Sequence, residues 1–276
     1  MTLAEASARR APWPTTLIVG VVLLAGLAAA GLLAPWLTPY DPEAQSLRET
    51  LQPPSANHWL GTDHLGRDVL TRLLHAARLD LAIGVGAIVT PFVFGTVIGG
   101  LAGYYGGWVD TAIGAVIDVV MAFPYYVLVI ALVFVLGPGI PSIFVAVAIV
   151  GWVSYARIVR AEVAAEARRD YVLAARALGY SDARILLRHI LPNTISQPLI
   201  YAMSDIVVVI VGVVTLSYLG LGVPPPTADW GAMIAAGQPF MTTHWMLSTL
   251  PGIAVVVTGL AFSLIGDGLA RWMRPV

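Results

Sequence analysis

The sequence predicts an all-α membrane protein with six transmembrane helices, and three observations carry the prediction. Of 276 residues, 58% are hydrophobic and 11% charged, where a soluble domain carries about 25% charge. Mean hydropathy is +0.82. Uncharged apolar windows long enough to cross a bilayer, ~20 residues each, recur along the chain. The net charge of −1 says nothing about nucleic acid, and no long charge run points to it, so no nucleic-acid partner is expected.

The first window runs from Ala11 to Tyr40. Arg9-Arg10 and Ala28-Ala29-Ala30 have some character of a secretory signal, but the apolar run outlasts the ~7–15 residues of a signal core. A retained anchor over 17–37 is therefore expected, after an N-terminal segment 1–16. The next segment, 38–78, opens with Pro39, Pro53 and Pro54, an extended lead-in. In "HWLGTDHLGRDVLTRLLHAAR" (58–78), Val69, Leu70, Leu73, Leu74 and Ala77 share one face. Arg67, Asp68, Thr71, Arg72, His75 and Arg78 occupy the other. That spacing predicts an interfacial helix, with Asp63 as its N-cap.

A second span is expected within Leu81–Val109. The apolar run from Val119 to Ala156 is too long for one crossing and is cut by Gly137-Pro138-Gly139-Ile140-Pro141, which places spans near 111–136 and 142–160. Phe123-Pro124 predicts a kink in the first of these. Further spans are expected near 198–222 and 248–270, closing a core of 79–272 before a tail of 273–276. Gly99-Gly100 and Gly106-Gly107 predict close packing or turns.

All basic residues are arginines. Arg9, Arg10, Arg157, Arg160, Arg168, Arg169, Arg176, Arg184, Arg188, Arg271 and Arg274 fall on one side of this topology. Arg48, Arg67, Arg72 and Arg78 fall on the other. The positive-inside bias then puts both termini and the loop 161–193 in the cytoplasm, and 38–78 outside.

The 161–193 loop is more than a linker. Its arginines would each cost about 2.5–3.5 kcal/mol in lipid, yet Tyr171, Ala174, Ala175 and Leu178 recur at helical spacing. Gly179 stands where a helix C-terminus is expected. Ser181 can cap a second short helix through Ile185, Leu186, Leu187 and Ile190, stopped by Pro192. The pattern suits either a loop folded onto its own bundle or a docking knob for a cytoplasmic partner.

The chemistry classes narrow by absence. Without cysteine there are no disulfides or thiolate sites. Without lysine there is no P-loop of the chain's own, and no HExxH or GxSxG pattern points to a membrane enzyme. A passive channel would leave the arginine-rich knob unexplained. Asp118 and Asp205 lie deep in apolar spans, where they either pair structurally in the bundle interior or against a partner subunit, or line a translocation path with Phe123 and Pro124; Asp110 and Asp267 fall at span ends as caps. His58, His64 and His75 have no metal-ligand spacing.

"VLAARALG" (172–179) and "RHILPN" (188–193) resemble the EAA loop of bacterial ABC importer permeases: Glu-Ala-Ala, three residues, Gly, nine residues, Ile, one residue, Leu-Pro. Ala174, Ala175, Gly179, Leu191 and Pro192 match; Leu173 stands in place of the Glu and His189 in place of the Ile. Residues 58–78, with Gly61, Thr62, Asp63, Gly66, Arg67 and Asp68, resemble a signature of the C-type subunit of dipeptide, oligopeptide and nickel permeases. The same subfamily is matched by 215–234, with Gly220 and Gly222, and by 261–269, with Gly266, Asp267 and Ser263 in place of a frequent Asn.

This resemblance implies a non-catalytic permease subunit of the type I fold in the bacterial inner membrane, importing di- or oligopeptides. Nickel or another small solute such as an opine or glutathione is the alternative. It implies a homologous second permease, two ATP-binding subunits or domains that hold the ATP and Mg, and an extracytoplasmic substrate-binding protein, with no cofactor in this chain. Arg169, Tyr171, Leu173, Ala174, Ala175, Arg176, Leu178, Gly179 and Ser181 would form the coupling contact with an ATPase.

Overall fold

A computed structural model describes residues 13–273; Arg9, Arg10 and Arg274, on which part of the orientation rests, lie outside them. The described residues form helices and loops, with one isolated bridge between Thr62 and Asp68. Among the described residues five helices are long and apolar enough to cross a membrane, six if a bent pair counts as one broken span.

The uniformly apolar α1 (Thr15–Leu37) packs along α11 (Met246–Trp272). Glycines set that distance: a Cβ at Gly20 would lie 2.8 Å from the Ala261 carbonyl oxygen. α2 (Val69–Tyr105) is the longest element, 37 residues, roughly 55 Å at 1.5 Å per residue against a hydrocarbon core of ~30 Å. Its seam with α5 (Ile140–Glu166) is cut by Gly95, Gly99 and Gly103. A Cβ at each would sit 2.5, 2.4 and 2.4 Å from the carbonyl oxygens of Trp152, Ala156 and Arg160. Small residues at a spacing of four let two membrane helices touch backbone to backbone, and this is the most extensive helix pair in the chain.

The expected interfacial helix is corrected by α2. Residues 69–78 are helical, but they are the first turns of α2 rather than a separate helix lying on the membrane. The cap is Asp68, whose carboxylate accepts from the Thr71 N–H at 2.7 Å, not Asp63. Most of the polar side is not wetted: Arg67, Asp68, Thr71 and Arg72 are buried under the extended segment before α2 and the loop after α9, while His75 is half-buried and Arg78 exposed.

α2 ends at Gly106, whose φ of 64° suits a residue without Cβ. α3 (Gly107–Met121) and α4 (Tyr125–Leu136) follow. Where a kink was expected the helix breaks outright, by 83°, since Pro124 lacks the N–H that would continue the ladder. The Gly137–Gly139 turn then leads into α5, with Pro141 in its first turn where a missing donor costs nothing.

α5 runs to Glu166, past the expected span end near 160. After α6 (Asp170–Ala177) and α7 (Asp182–Ile185), Leu186–Ile190 form a π turn in which the Leu191 N–H reaches the Leu186 carbonyl. α8 (Leu191–Thr194) and α9 (Ser196–Tyr218) continue from it. Pro192 therefore does not stop the helix. The wider π turn immediately before it relieves the clash between a proline ring and the carbonyl four residues earlier. α10 (Trp230–Gly237) is short and is capped by Asp229.

The main core joins α2, α4, α5 and α9 around Ile88, Val133, Ile143, Tyr155 and Ile210. A second cluster seats the short helices 170–194 on the ends of α2 and α5.

Candidate functional site

α6 has two faces. Val172, fully buried, and Ala175 insert among Tyr104, Val159, Val163, Ile185, Leu186 and Ile190. Tyr171, Leu173, Ala174, Arg176 and Leu178 are exposed, Leu178 by 73% and Leu173 by 51%. The predicted stripe thus divides. Ala175 belongs to the chain's own bundle and is removed from the outward face, while Tyr171, Ala174 and Leu178 remain on it with Leu173. The outward face is small and apolar, rimmed by Arg169 and Arg176.

The seat is polar at its edges. Tyr104 donates to Asp182 at 2.6 Å, and Arg176 lies 5.2 Å from the Tyr104 ring centroid. Tyr171 donates to Glu166 at 2.9 Å, Asn193 donates to the His189 carbonyl at 2.9 Å, and Arg169 pairs with Glu166 at 2.9 Å. His189, in place of an aliphatic residue, stacks on Tyr180 with centroids 5.9 Å apart. Burial raises the Tyr171 hydroxyl above its ordinary value, so it stays a donor across the physiological range. Gly179 has φ +79° with no atom within 4 Å of a would-be Cβ; conformation, not crowding, asks for glycine there. Ser181 caps α7, accepting from the Arg184 N–H at 3.4 Å. Val172, Tyr104 and Asp182 carry the seat and were not singled out from sequence, though Val172 is legible as the apolar partner of Ala175 three residues on.

The deep acids separate. Asp205 is buried and accepts from the Tyr155 hydroxyl at 2.8 Å, an internal brace between α9 and α5. Asp118, Phe123 and Pro124 are exposed together beside the break between α3 and α4. The two acids do not share a site. Asp110 is no solvated cap: it holds Arg160 through two contacts, one of 2.8 Å. Asp267 is exposed on α11.

The segment before α2 is a clasp. Asp63 accepts from the Leu65 and Arg67 N–H groups at 2.8 and 3.0 Å and from Arg67 Nε at 2.7 Å. Asp68 takes the His58 ring nitrogen at 2.9 Å, and the Thr62 hydroxyl accepts from the Gln52 N–H at 2.9 Å. Gly61 and Gly66 adopt φ of +75° and +72°, and a Cβ at Gly66 would collide with the Ser46 carbonyl. Arg72 donates to the Pro42 carbonyl at 2.7 Å and to Pro226 at 3.3 Å, tying the clasp to the loop after α9. There Gly220 has φ +78°, and Gly222 lies against Ser217; Gly266 packs α11 on Met203 of α9. These signature residues build structure around the ends of spans, and Asp63, Gly66, Arg67 and Asp68 also line small cavities there.

An all-helical bundle of membrane length, with an exposed apolar knob seated rigidly at its arginine-rich end, defines the class of a multi-pass membrane transport subunit. Comparison with known proteins places it further. Residues 95–275 match the family of the binding-protein-dependent transport system inner membrane component, and residues 16–54 match the N-terminal TM domain of oligopeptide transport permease C. The chain is 39% identical over 259 residues to the dipeptide transport system permease protein DppC of Bacillus subtilis, covering 94% of this chain and 81% of that one. It is 40% identical to a putative peptide transport system permease protein of Brucella suis, covering 98% and 90%. It is also 39% identical to the nickel transport system permease protein NikC of Escherichia coli, covering 93% of each. The chain belongs to the binding-protein-dependent transport system inner membrane component family and is a permease of the ABC importer type.

Proposed function

We propose that this chain forms half of a translocation path for di- or oligopeptides and transmits the motion of a partner ATPase through α6. The observation that carries the coupling role is the two-faced α6, apolar and exposed outward, locked inward by Val172 and Ala175. In this reading a homologous second permease completes the path, two ATP-binding subunits or domains hold ATP and Mg, and an extracytoplasmic binding protein delivers substrate. The protein lies in the bacterial inner membrane with both termini and α6 in the cytoplasm. The chain itself performs no chemistry.

Transmission follows from the packing. When the ATPases close on ATP, a displaced α6 carries the ends of α2 and α5 with it through the shared cluster. The nearly continuous run α7–π turn–α8–α9 passes the same displacement into a fifth span. With Leu173 in the position of the usual Glu, the contact lacks that charge and relies on apolar fit and the arginine rim. Peptide cargo is favoured by the peptide permeases among the relatives; nickel is the second reading, supported by the relative from Escherichia coli.

The test is co-purification from detergent with the tagged chain, comparing Ala174→Asp alone and together with Gly179→Trp. Ala174 is exposed, so the single variant should fold. Loss of the ATPase with the second permease retained is the expected result. An ATPase retained by both variants removes the coupling role. Uptake of labelled dipeptide against labelled nickel in the same cells decides the cargo.

A further inference from the structure

A cleft of about 620 Å³ opens between the α2–α3 turn and the ends of α5 and α6. Its walls carry Arg157, Arg160, Arg168 and Arg176 against a single acid, Asp110. Asp110 is committed to Arg160. Among the described residues, no carboxylate forms an ion pair with Arg157, Arg168 or Arg176. Asp182, beside Arg176 on the far side of Tyr104, is engaged by the Tyr104 hydroxyl, and Asp118 acts on Arg160, which Asp110 already holds. The cleft is therefore lined by more guanidinium groups than carboxylates, and guanidinium favours phosphate geometrically as well as electrically.

Two further features select the ligand. The floor is Ala102, Gly103, Gly106 and Gly107, so no long side chain fills it. α3 begins at Gly107, and the first N–H groups of a helix have no intrahelical acceptor and carry partial positive charge. Tyr105 and Trp108 flank this turn, 56% and 81% exposed. Such amphipathic rings sit at the headgroup level of a bilayer. We propose that the cleft is a phosphate site occupied by the headgroup of an anionic membrane phospholipid. Bound there, the phosphate joins α5 through Arg157 to the α5–α6 connection through Arg168 and to α6 through Arg176. The lipid braces the outward-facing knob from behind.

The full chain, purified and delipidated in detergent, is titrated with phosphatidylglycerol, with phosphatidylcholine and with inorganic phosphate, and bound species are read by native mass spectrometry. The variant is Arg157→Gln with Arg168→Gln; both positions are exposed. The single Arg168→Glu serves as a second, less perturbing probe, and helical circular dichroism checks the fold of each. One phosphatidylglycerol should remain on the native chain, with about thirty-fold weaker retention in the double variant and no such difference for phosphatidylcholine. Inorganic phosphate bound with the same arginine dependence, and no preference for phosphatidylglycerol, keeps the phosphate site but assigns its source to solution. Equal retention of phosphatidylglycerol by native and variant chains overturns the proposal. So does binding of neither probe by the native chain, which would leave the cleft to acidic side chains of a protein partner.

Discussion

Asp229 and Asp80 show how a single residue here can be both a device and a cost. Asp229 caps α10 through the Ala232 N–H at 2.8 Å, and Asp80 accepts from the Trp230 N–H at 3.0 Å, leaving Oδ1 without a partner. Both are buried. Burial raises the Asp229 carboxyl above the ordinary carboxylate value, against the opposing pull of Ser217, the Ala232 and Gly231 N–H groups and Arg72. Its folded form thus holds a proton that the unfolded chain, titrating near ~3.9, releases. The stability this contributes is fully present below that unfolded value and is lost as pH rises through the raised one. Asn is an equally good cap and has no charge to bury. The thermal midpoint in detergent should therefore fall between pH 4 and pH 8 more steeply for the native chain than for Asp229→Asn. Parallel profiles would show that Asp229 does not titrate abnormally.

Among the elements, the contact of α2 with α5 depends most on one residue type. A Cβ at Gly99 would lie 2.4 Å from the Ala156 carbonyl oxygen, whereas one at Gly100 meets only Leu191 Cδ2 at 3.6 Å. Gly99→Val should therefore cost about 1–3 kcal/mol or more through enforced separation of the helices. Gly100→Val, one residue away, should be tolerated. The yield and melting of the two purified variants decide this; similar behaviour would mean the seam can open freely.

The same seam marks what the sequence could and could not convey. The Gly137–Pro141 break and the turn at Gly179 are local signals, and both appear in the structure as glycines of positive φ between helices. The register of Gly95, Gly99 and Gly103 is visible only once Ala156 and Arg160 are known to lie opposite. The amphipathicity of 69–78 predicts an interfacial helix because a sequence shows polarity and not what covers it; Pro42 and Pro226, far apart in the chain, are the partners of Arg72. Pro192 was read as a stop because a π turn leaves no compositional mark.

For the whole molecule, the question is which surface borders the path. Exposed apolar residues such as Val22 on α1, 63% exposed, are at ease in lipid, but Asp118 is not: a carboxylate facing hydrocarbon costs about 2.5–3.5 kcal/mol even on the mild insertion scale. Asp118 lies about one turn before the break at Phe123 and Pro124, all three exposed, and the backbone groups freed at that break need partners that lipid cannot supply. On the proposed function, the expectation is that this face borders water or a second permease and that α1 borders the membrane. Because the sequence contains no cysteine, labelling read on this chain's own gel band reports the single introduced thiol. Asp118→Cys and Phe123→Cys, in the assembled transporter, should react with a membrane-impermeant maleimide at least tenfold faster than Val22→Cys, and the rate should change when ATP is added. Equal, slow labelling at all three positions would put the α3–α4 break in lipid or in a dry interface, and Asp118 would then pair with the partner subunit instead of lining the path.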